Sequence, residues 1–298
     1  VEIHVQLFPK YSVRRRVLQT VRDRILRGPR LFRHINKTNL FLASQFEGRR
    51  IQCPICGGDG RLRFLMLDVE EMRAQRNSLL RENLHSECCD FWMRQRLIAV
   101  AFLRECRDRL GLEARTLADL KGRLQDLAIL DTDAHGALAT HLSAEPGFRM
   151  SSYIPGAAAM LDDGRVHNVD LQDMQFADAS LDIVVSSDVL EHVRDITRAH
   201  REIFRCLRSG GCHIFTVPFD EAAASTRTLV DTTTPDDIYL DLPQIHGDRL
   251  TGGIIAYRIN GMEMLDELRG LGYQVAARRV RRPDLGIFEG LYFRASRP

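Results

Sequence analysis

Four groups of residues in this 298-residue chain have types and spacings that can do chemistry. Cys53-Pro-Ile-Cys56-Gly-Gly is a knuckle whose two thiolates can share one Zn2+ while nearby backbone amides offset the sulfur charge. A closed tetrahedral site needs a second pair, and His85-Ser-Glu-Cys88-Cys89, a small module downstream, offers candidates without a regular Cys-x-x-Cys. Ser186-Ser187-Asp188 follows an apolar run, with Glu191-His192 one helical turn on. An imidazole there can exchange a proton near neutral pH or serve as a packed structural residue. Asp131-Thr-Asp133-Ala-His-Gly136 and Asp170 also follow apolar runs. His246-Gly-Asp248 places an imidazole and a carboxylate two apart on a glycine-containing loop. Such a pair can orient or deprotonate a hydroxyl, or hold the loop by side-chain to backbone bonds.

These groups need elements to position them. Leu181, Ile183, Val184 and Val185 form a nearly continuous, β-branched apolar run, the pattern of a parallel strand covered on both faces. Open α/β sheets bind ligands at the carboxyl ends of their strands, which is where Ser187 and Asp188 fall. From Asp195 to Leu207, Ile196, Ala199, Ile203, Phe204 and Leu207 recur at helical spacing, and Gly210-Gly211 is expected to end that helix. Ile214 to Val217 is the next buried strand, closed by Pro218. Further strands are expected at Leu127–Leu130, Phe148–Ser151, Val166–Leu171, Gly272–Val275 and Gly286–Phe293, with a long helix from Phe91 to Leu112 and another from Gly261 to Arg269. Asp220 to Pro243 has little periodicity and suits a lid.

With 44% hydrophobic and 28% charged residues, the composition is that of an ordinary soluble globular protein, and no apolar run approaches membrane-spanning length. No secretory signal is legible at the start, so a cytoplasmic location is expected and disulfides are not. Cys106, Cys206 and Cys212 lie in apolar contexts and read as core residues. The net charge of +2 is uninformative, but between Lys10 and Lys37 Asp23 is the single acid. The arginines there alternate with Val17, Leu18, Val21, Ile25 and Leu26 at helical spacing. That segment is either a helix packed on its apolar face, with arginines in solvent, or a surface for nucleic acid or anionic lipid.

The run Leu181–His192 followed by Arg205–Phe219 resembles class I S-adenosylmethionine-dependent methyltransferases. Phe215-Thr-Val-Pro-Phe219 together with His246-Gly-Asp248, and the Cys-Pro-x-Cys-Gly module, is similar to a bacterial type-11-like branch. The resemblance implies an α/β fold, a Rossmann-like seven-stranded methyltransferase sheet, mostly parallel with the last strand antiparallel, plus a small N-terminal Cys-containing, zinc-ribbon-like module. It implies three parts: a basic helical segment over 1–46, a Cys-rich zinc module over 47–96, and the catalytic domain over 97–298 with a lid insertion at about 220–252.

The resemblance also implies roles. Aligning the module's basic tail on Arg94-Gln95-Arg96 puts Ser86 at the first position of the second ligand pair and Cys89 at the last. Cys53, Cys56 and Cys89 are then the expected ligands of a structural Zn2+, with Cys88 or His85 completing the set. The S-adenosylmethionine loop is Asp131, Asp133 and Gly136; Asp133 stands where glycine is common, and its acid can repel the methionine carboxylate or attract the ammonium and sulfonium. Ser152 and Tyr153 stand where an acid normally holds the ribose. Asp170 would accept from the adenine amino group and Leu171 would offer its backbone amide, the alternative for Asp170 being a turn cap. Ser187 and Asp188 would line the methionine end, with His246, Asp248 and His192 on the acceptor side.

Three functions follow. One is methyl transfer to a hydroxyl or amine of a small molecule or sugar in bacterial secondary or surface metabolism. A second is an RNA methyltransferase that grips phosphates through the basic start and the Cys module. The third is a non-catalytic scaffold, motivated by Asp133 and Ser152.

Overall fold

The computed structural model describes residues 41–65, 80–241, 243–246 and 253–298. The basic segment between Lys10 and Lys37, and Asp248, lie outside the described residues. Three short antiparallel strands, β1 (Arg50–Gln52), β2 (Asp59–Phe64) and β3 (Leu84–Ser86), carry the cysteine module. A long helix, α1 (Met93–Leu110), leads from it into the α/β sheet and ends at Gly111 in the left-handed conformation that closes helices.

That sheet is built from β4 (Ile129–Asp131), β5 (Phe148–Ser152), β6 (Met160–Leu161), β7 (Val166–Asn168), β8 (Leu181–Ser187), β9 (Leu207–Thr216), β10 (Gln274–Arg282) and β11 (Ile287–Ser296). Its order is β10-β11-β9-β8-β4-β5-β7-β6. The pairs β7-β5, β5-β4, β4-β8 and β8-β9 are parallel, whereas β11 runs antiparallel between β9 and β10. All seven residues of β8 are buried, as its nearly continuous apolar run requires of a strand with cover on both faces. Helices α2 (Ala137–Leu142), α3 (Ile196–Cys206) and α4 (Glu263–Gly270) complete the frame. Among the described residues no helix is long and apolar enough to cross a membrane.

Two expectations are corrected. The sheet has eight strands rather than seven, because Met160–Leu161 folds back antiparallel on Val166–His167 and adds a short edge. Gly210-Gly211 does not cap the helix. The helix ends at Cys206, and the pair lies inside β9 at a register shift between Leu181↔Leu207 and Ile183↔Cys212. Gly210 has φ +76°, and a Cβ on Gly211 would sit 2.9 Å from the Arg208 carbonyl oxygen and 3.0 Å from that of Asp182. A bulge, not a helix end, is what needs both glycines.

One hydrophobic core joins Ile51, Ile55 and Leu62 of the module to Ile129, Ile183, Ile214 and Ile287 of the sheet, with α1 between them. A second core on the opposite face packs α3 and α4 through Ala199, Ile203, Leu265 and Leu268. The cysteine module is therefore fused to the sheet through buried apolar surface.

Candidate functional site

The sheet brings Asp131, Ser152 and Ser187 to the carboxyl ends of the adjacent parallel strands β4, β5 and β8, with Asp170 just past β7. Asp131 is 2% exposed, and burial, reinforced by the charge of Asp133, pushes its carboxyl well above the usual range. It accepts the Asp133 amide at 3.2 Å. Thr132, next in the loop, has a buried Oγ1 without a hydrogen-bond partner among the described residues. The Asp133 carboxylate turns back over its own loop, accepting from His135 N at 3.3 Å, and a Cβ on Gly136 would lie 2.7 Å from its Oδ2. Gly136 opens α2.

Ser152 has its carbonyl bonded to Val169 N at 2.9 Å, and Tyr153 beside it is exposed. The Tyr153 phenol is raised by burial and then by the neighbouring Asp170 carboxylate, to which it hydrogen-bonds. Asp170 Oδ1 also accepts from Gln172 N at 2.8 Å and from Gln172 Nε2 at 3.0 Å, so the turn-capping alternative operates for one of its oxygens. Leu171 is buried.

Helix α1 supplies residues that sequence reasoning missed at this edge. Arg94 donates to Ser187 Oγ at 2.6 Å and to the Ser187 carbonyl at 2.8 Å, and lies 3.3 Å from Asp188 Oδ2. Arg81 is ion-paired with Asp188, and Glu82 with Arg94. Burial raises the Asp188 carboxyl, but the Arg81 and Arg94 guanidiniums outweigh it and hold it below the usual carboxylate range. Asp188 has φ 54°, a left-handed backbone fixed by Asp188 N donating to Thr216 O at 3.0 Å. The available signal was Arg94-Gln95-Arg96 itself, used above only to align the cysteines.

His192 and His246, expected on the acceptor side, are 54 residues apart in sequence and meet in the structure. Ile245–His246 pairs antiparallel with Ile254–Ile255. From the same segment, Tyr257 N donates to Glu191 O at 2.8 Å, and the Arg258 guanidinium donates to the carbonyls of Leu190, Val193 and Arg194. The result sets His246 Nδ1 3.2 Å from His192 Nε2, with the rings edge to face at 4.9 Å between centroids. Glu191, fully buried, lies under both rings, with Oε1 3.7 Å from each facing nitrogen. Burial, and then the charge of Asp188, push the Glu191 carboxyl well above its usual range.

The Sγ atoms of Cys53, Cys56, Cys88 and Cys89 all lie within 4.8 Å of one another. Cys53 and Cys89 are 3.4 Å apart, and Cys56 and Cys88 3.7 Å. Hydrogen bonding from Cys53 draws the Cys89 thiol down to about 5, whereas Cys53 itself is pushed up by that same bond and by burial. His85 is turned elsewhere, with Nδ1 2.8 Å from Asp90 Oδ1 and its ring against Trp92, so Cys88 is the fourth member of the cluster. Ser86 Oγ sits 3.4 Å from Cys88 Sγ and 3.3 Å from Cys89 Sγ. Arg96, buried under the cluster, donates to the carbonyls of Phe91, Leu84 and Gly286.

Residues 130–215 match the family model of a methyltransferase domain. Over 53 residues the chain is 40% identical to a dimethylglycine N-methyltransferase from Parasynechococcus marenigrum (strain WH8102), a match of 18% of this chain and 19% of that one. The chain thus spans about a fifth of that relative's length. Among solved structures, an S-adenosylmethionine-dependent methyltransferase from Mesorhizobium loti is similar at 19% identity and a TM-score of 0.39, covering 61% of this chain and 95% of that one. A 1,6-didemethyltoxoflavin-N1-methyltransferase from Burkholderia thailandensis, with bound S-adenosylhomocysteine, is similar at 17% identity and a TM-score of 0.33, covering 66% and 84%. At these scores the likeness carries no substrate with it.

Proposed function

We propose that the chain, whose residues 130–215 match the family model of a methyltransferase domain, is a class I S-adenosylmethionine-dependent methyltransferase that moves a methyl group from that cofactor to a hydroxyl or amine of a small molecule or sugar. The observation behind the reading is the row of Asp131, Ser152, Asp170 and Ser187-Asp188 along the carboxyl edge of β4, β5, β7 and β8, where open α/β sheets take nucleotides.

The chemistry of the donor set fits the cofactor. Asp170 and the Leu171 amide suit adenine, and Ser152 with Tyr153 the ribose. Asp131, Asp133 and Gly136 suit the methionine end, where Thr132 Oγ1, without a hydrogen-bond partner among the described residues, is a spare polar atom. Arg94, paired with Glu82 and 3.3 Å from Asp188, holds Ser187 in place at this edge. When bound, the cofactor supplies an electrophilic methyl carbon on a sulfonium leaving group. The protein's part is to hold the acceptor in line and keep water out, with a base needed only for a protonated acceptor. His192, in the turn beyond β8, and His246 beside it are the residues that orient or deprotonate it.

Cys53, Cys56, Cys88 and Cys89 are read as a structural zinc site. Bonds of about 2.3 Å in a tetrahedron separate sulfurs by about 3.8 Å, close to the contacts of 3.4 and 3.7 Å. The zinc would pin β1 and β2 to the start of α1, the helix that delivers Arg94.

Calorimetry with S-adenosylhomocysteine tests the reading. Binding in the micromolar range is expected, and absence of heat up to millimolar ligand would return the chain to the scaffold hypothesis.

A further inference from the structure

We propose that Glu191, His192 and His246 bind one divalent first-row transition-metal cation, which holds the acceptor's hydroxyl oxygen. The inference rests on the methyltransferase reading for its role, but the site itself stands on geometry. One carboxylate oxygen and two imidazole nitrogens converge, with His192 Nε2 and His246 Nδ1 3.2 Å apart and each 3.7 Å from Glu191 Oε1. With metal bonds of about 2.1 Å, those separations correspond to angles of about 100° and 125° at the cation, within the range for three protein ligands and an open position.

Two further observations point to a cation. Both carboxylate oxygens of Glu191 are buried without a hydrogen-bond partner among the described residues, although the side chain is fully enclosed. A buried, unbonded carboxylate costs stability unless a positive partner faces it. His192 is also held in the tautomer a ligand needs. Its Nδ1 is 2.7 Å from the Ile255 carbonyl oxygen, which only accepts, so Nδ1 carries the proton and the Nε2 lone pair points at the cluster. A ligating imidazole whose other nitrogen donates to a backbone carbonyl is the usual supporting contact of metal sites. The same strand pair that carries Ile255 also delivers His246, so this pairing completes the ligand set.

Two imidazoles and one carboxylate suit zinc, iron(II), cobalt(II) or manganese(II) rather than an all-oxygen cation such as calcium. With a cation in place the imidazoles give lone pairs instead of taking the proton. The acceptor's O–H, polarised by the cation, releases its proton to water. The oxygen lone pair forms the bond to the methyl carbon as the C–S bond breaks, and its electron pair stays on sulfur. No oxidant or reductant is needed.

Cobalt(II) titration of the full chain tests the site separately from the cysteine cluster, because thiolate ligands give an intense near-ultraviolet sulfur-to-cobalt band and nitrogen and oxygen ligands do not. The expected result is a binding event seen in weak visible bands without the sulfur band, weakened at least about tenfold by Glu191→Gln and by His246→Ala. The inference is overturned if no such event occurs up to millimolar cobalt, or if it survives both substitutions unchanged. S-adenosylhomocysteine calorimetry on the same samples separates the two readings: cofactor binding without cobalt binding removes the metal alone, and cobalt binding without cofactor binding removes the methyl-transfer role but leaves the metal site.

Discussion

Gln95 on α1 donates from Nε2 to Asp133 Oδ2 at 2.8 Å, clasping the loop after β4 from a helix that begins in the cysteine module. The same side chain accepts the Ala137 amide on its Oε1 at 3.0 Å, satisfying one of the open N–H groups at the start of α2. The acid at position 133, which as sequence was the objection to cofactor binding, is a bonded part of the loop. Gln95→Ala leaves both groups without these partners and is expected to cost about 1–3 kcal/mol in urea unfolding. It should also weaken S-adenosylhomocysteine binding; unchanged affinity with lowered stability would confine Gln95 to folding.

The cysteine cluster makes a sharper choice than its spacing allowed. Cys88→Ser is expected to weaken cobalt binding and reduce the sulfur-to-cobalt band, three thiolates remaining, and to lower the melting temperature of the zinc-loaded protein, since a bound metal's free energy is also folding free energy. His85→Ala should keep the band, because His85 bonds to Asp90 and not to the sulfurs. The reverse pattern would move the fourth ligand to His85.

The contrast shows what was legible. Leu181 to Val185 and Ile214 to Val217 could be read as strands because burial on both faces leaves a nearly continuous apolar run, broken only by Asp182 and Thr216. The edge strand Gln274–Arg282 runs well past Val275, where its reading stopped, because Arg278, Arg279, Arg281 and Arg282 break the apolar pattern of a half-covered strand. The positions of Asp131, Asp170 and Ser187 at or just past strand ends were legible, because the apolar run before each is a short-range signal. Arg94 and Gln95 were not, since the residues they hold lie 93 and 38 positions away. The adjacency of Glu191 to His192 was plain in the sequence, but their meeting with His246 was not, since it joins positions 54 and 55 residues apart.

Asp170→Ala is expected to weaken S-adenosylhomocysteine binding by roughly 1–3 kcal/mol through loss of the adenine acceptor. The substitution also removes the bonds from Gln172 N and Nε2, so a stability measurement belongs beside the calorimetry. Lower stability with unchanged affinity would assign Asp170 to the turn alone.

Glu105 on α1 accepts from Arg294 on β11 at 2.7 and 2.9 Å. Burial raises the Glu105 carboxyl, but the hydrogen bonds and charge of Arg294 outweigh it and leave the pKa lowered. A lowered carboxylate contributes stability that is fully present above its unfolded pKa of about 4.3. That contribution is lost as the pH falls through the lower folded value. Glu105→Gln should therefore flatten the acid limb of unfolding free energy between about pH 5 and pH 3, and an acid limb that keeps its slope would show that other carboxylates set it.

Gly136 and Asp133 should be energetically coupled. A Cβ on Gly136 would meet Asp133 Oδ2 at 2.7 Å and Cγ at 2.8 Å, while Gln95 and the His135 amide hold that carboxylate in place. Gly136→Ala must then drive the carboxylate off Gln95, at a cost of about 1–3 kcal/mol. The backbone itself raises no objection, since Gly136 has φ −77°, which alanine adopts freely. With Asp133→Gly already made, the obstacle is gone, and the same alanine is expected to stabilise by about 0.4–1 kcal/mol by restricting the unfolded chain. The effect of Gly136→Ala thus changes sign with residue 133, and urea unfolding of the four proteins in the cycle measures it. Additive effects would mean that Gly136 is not there to make room for Asp133.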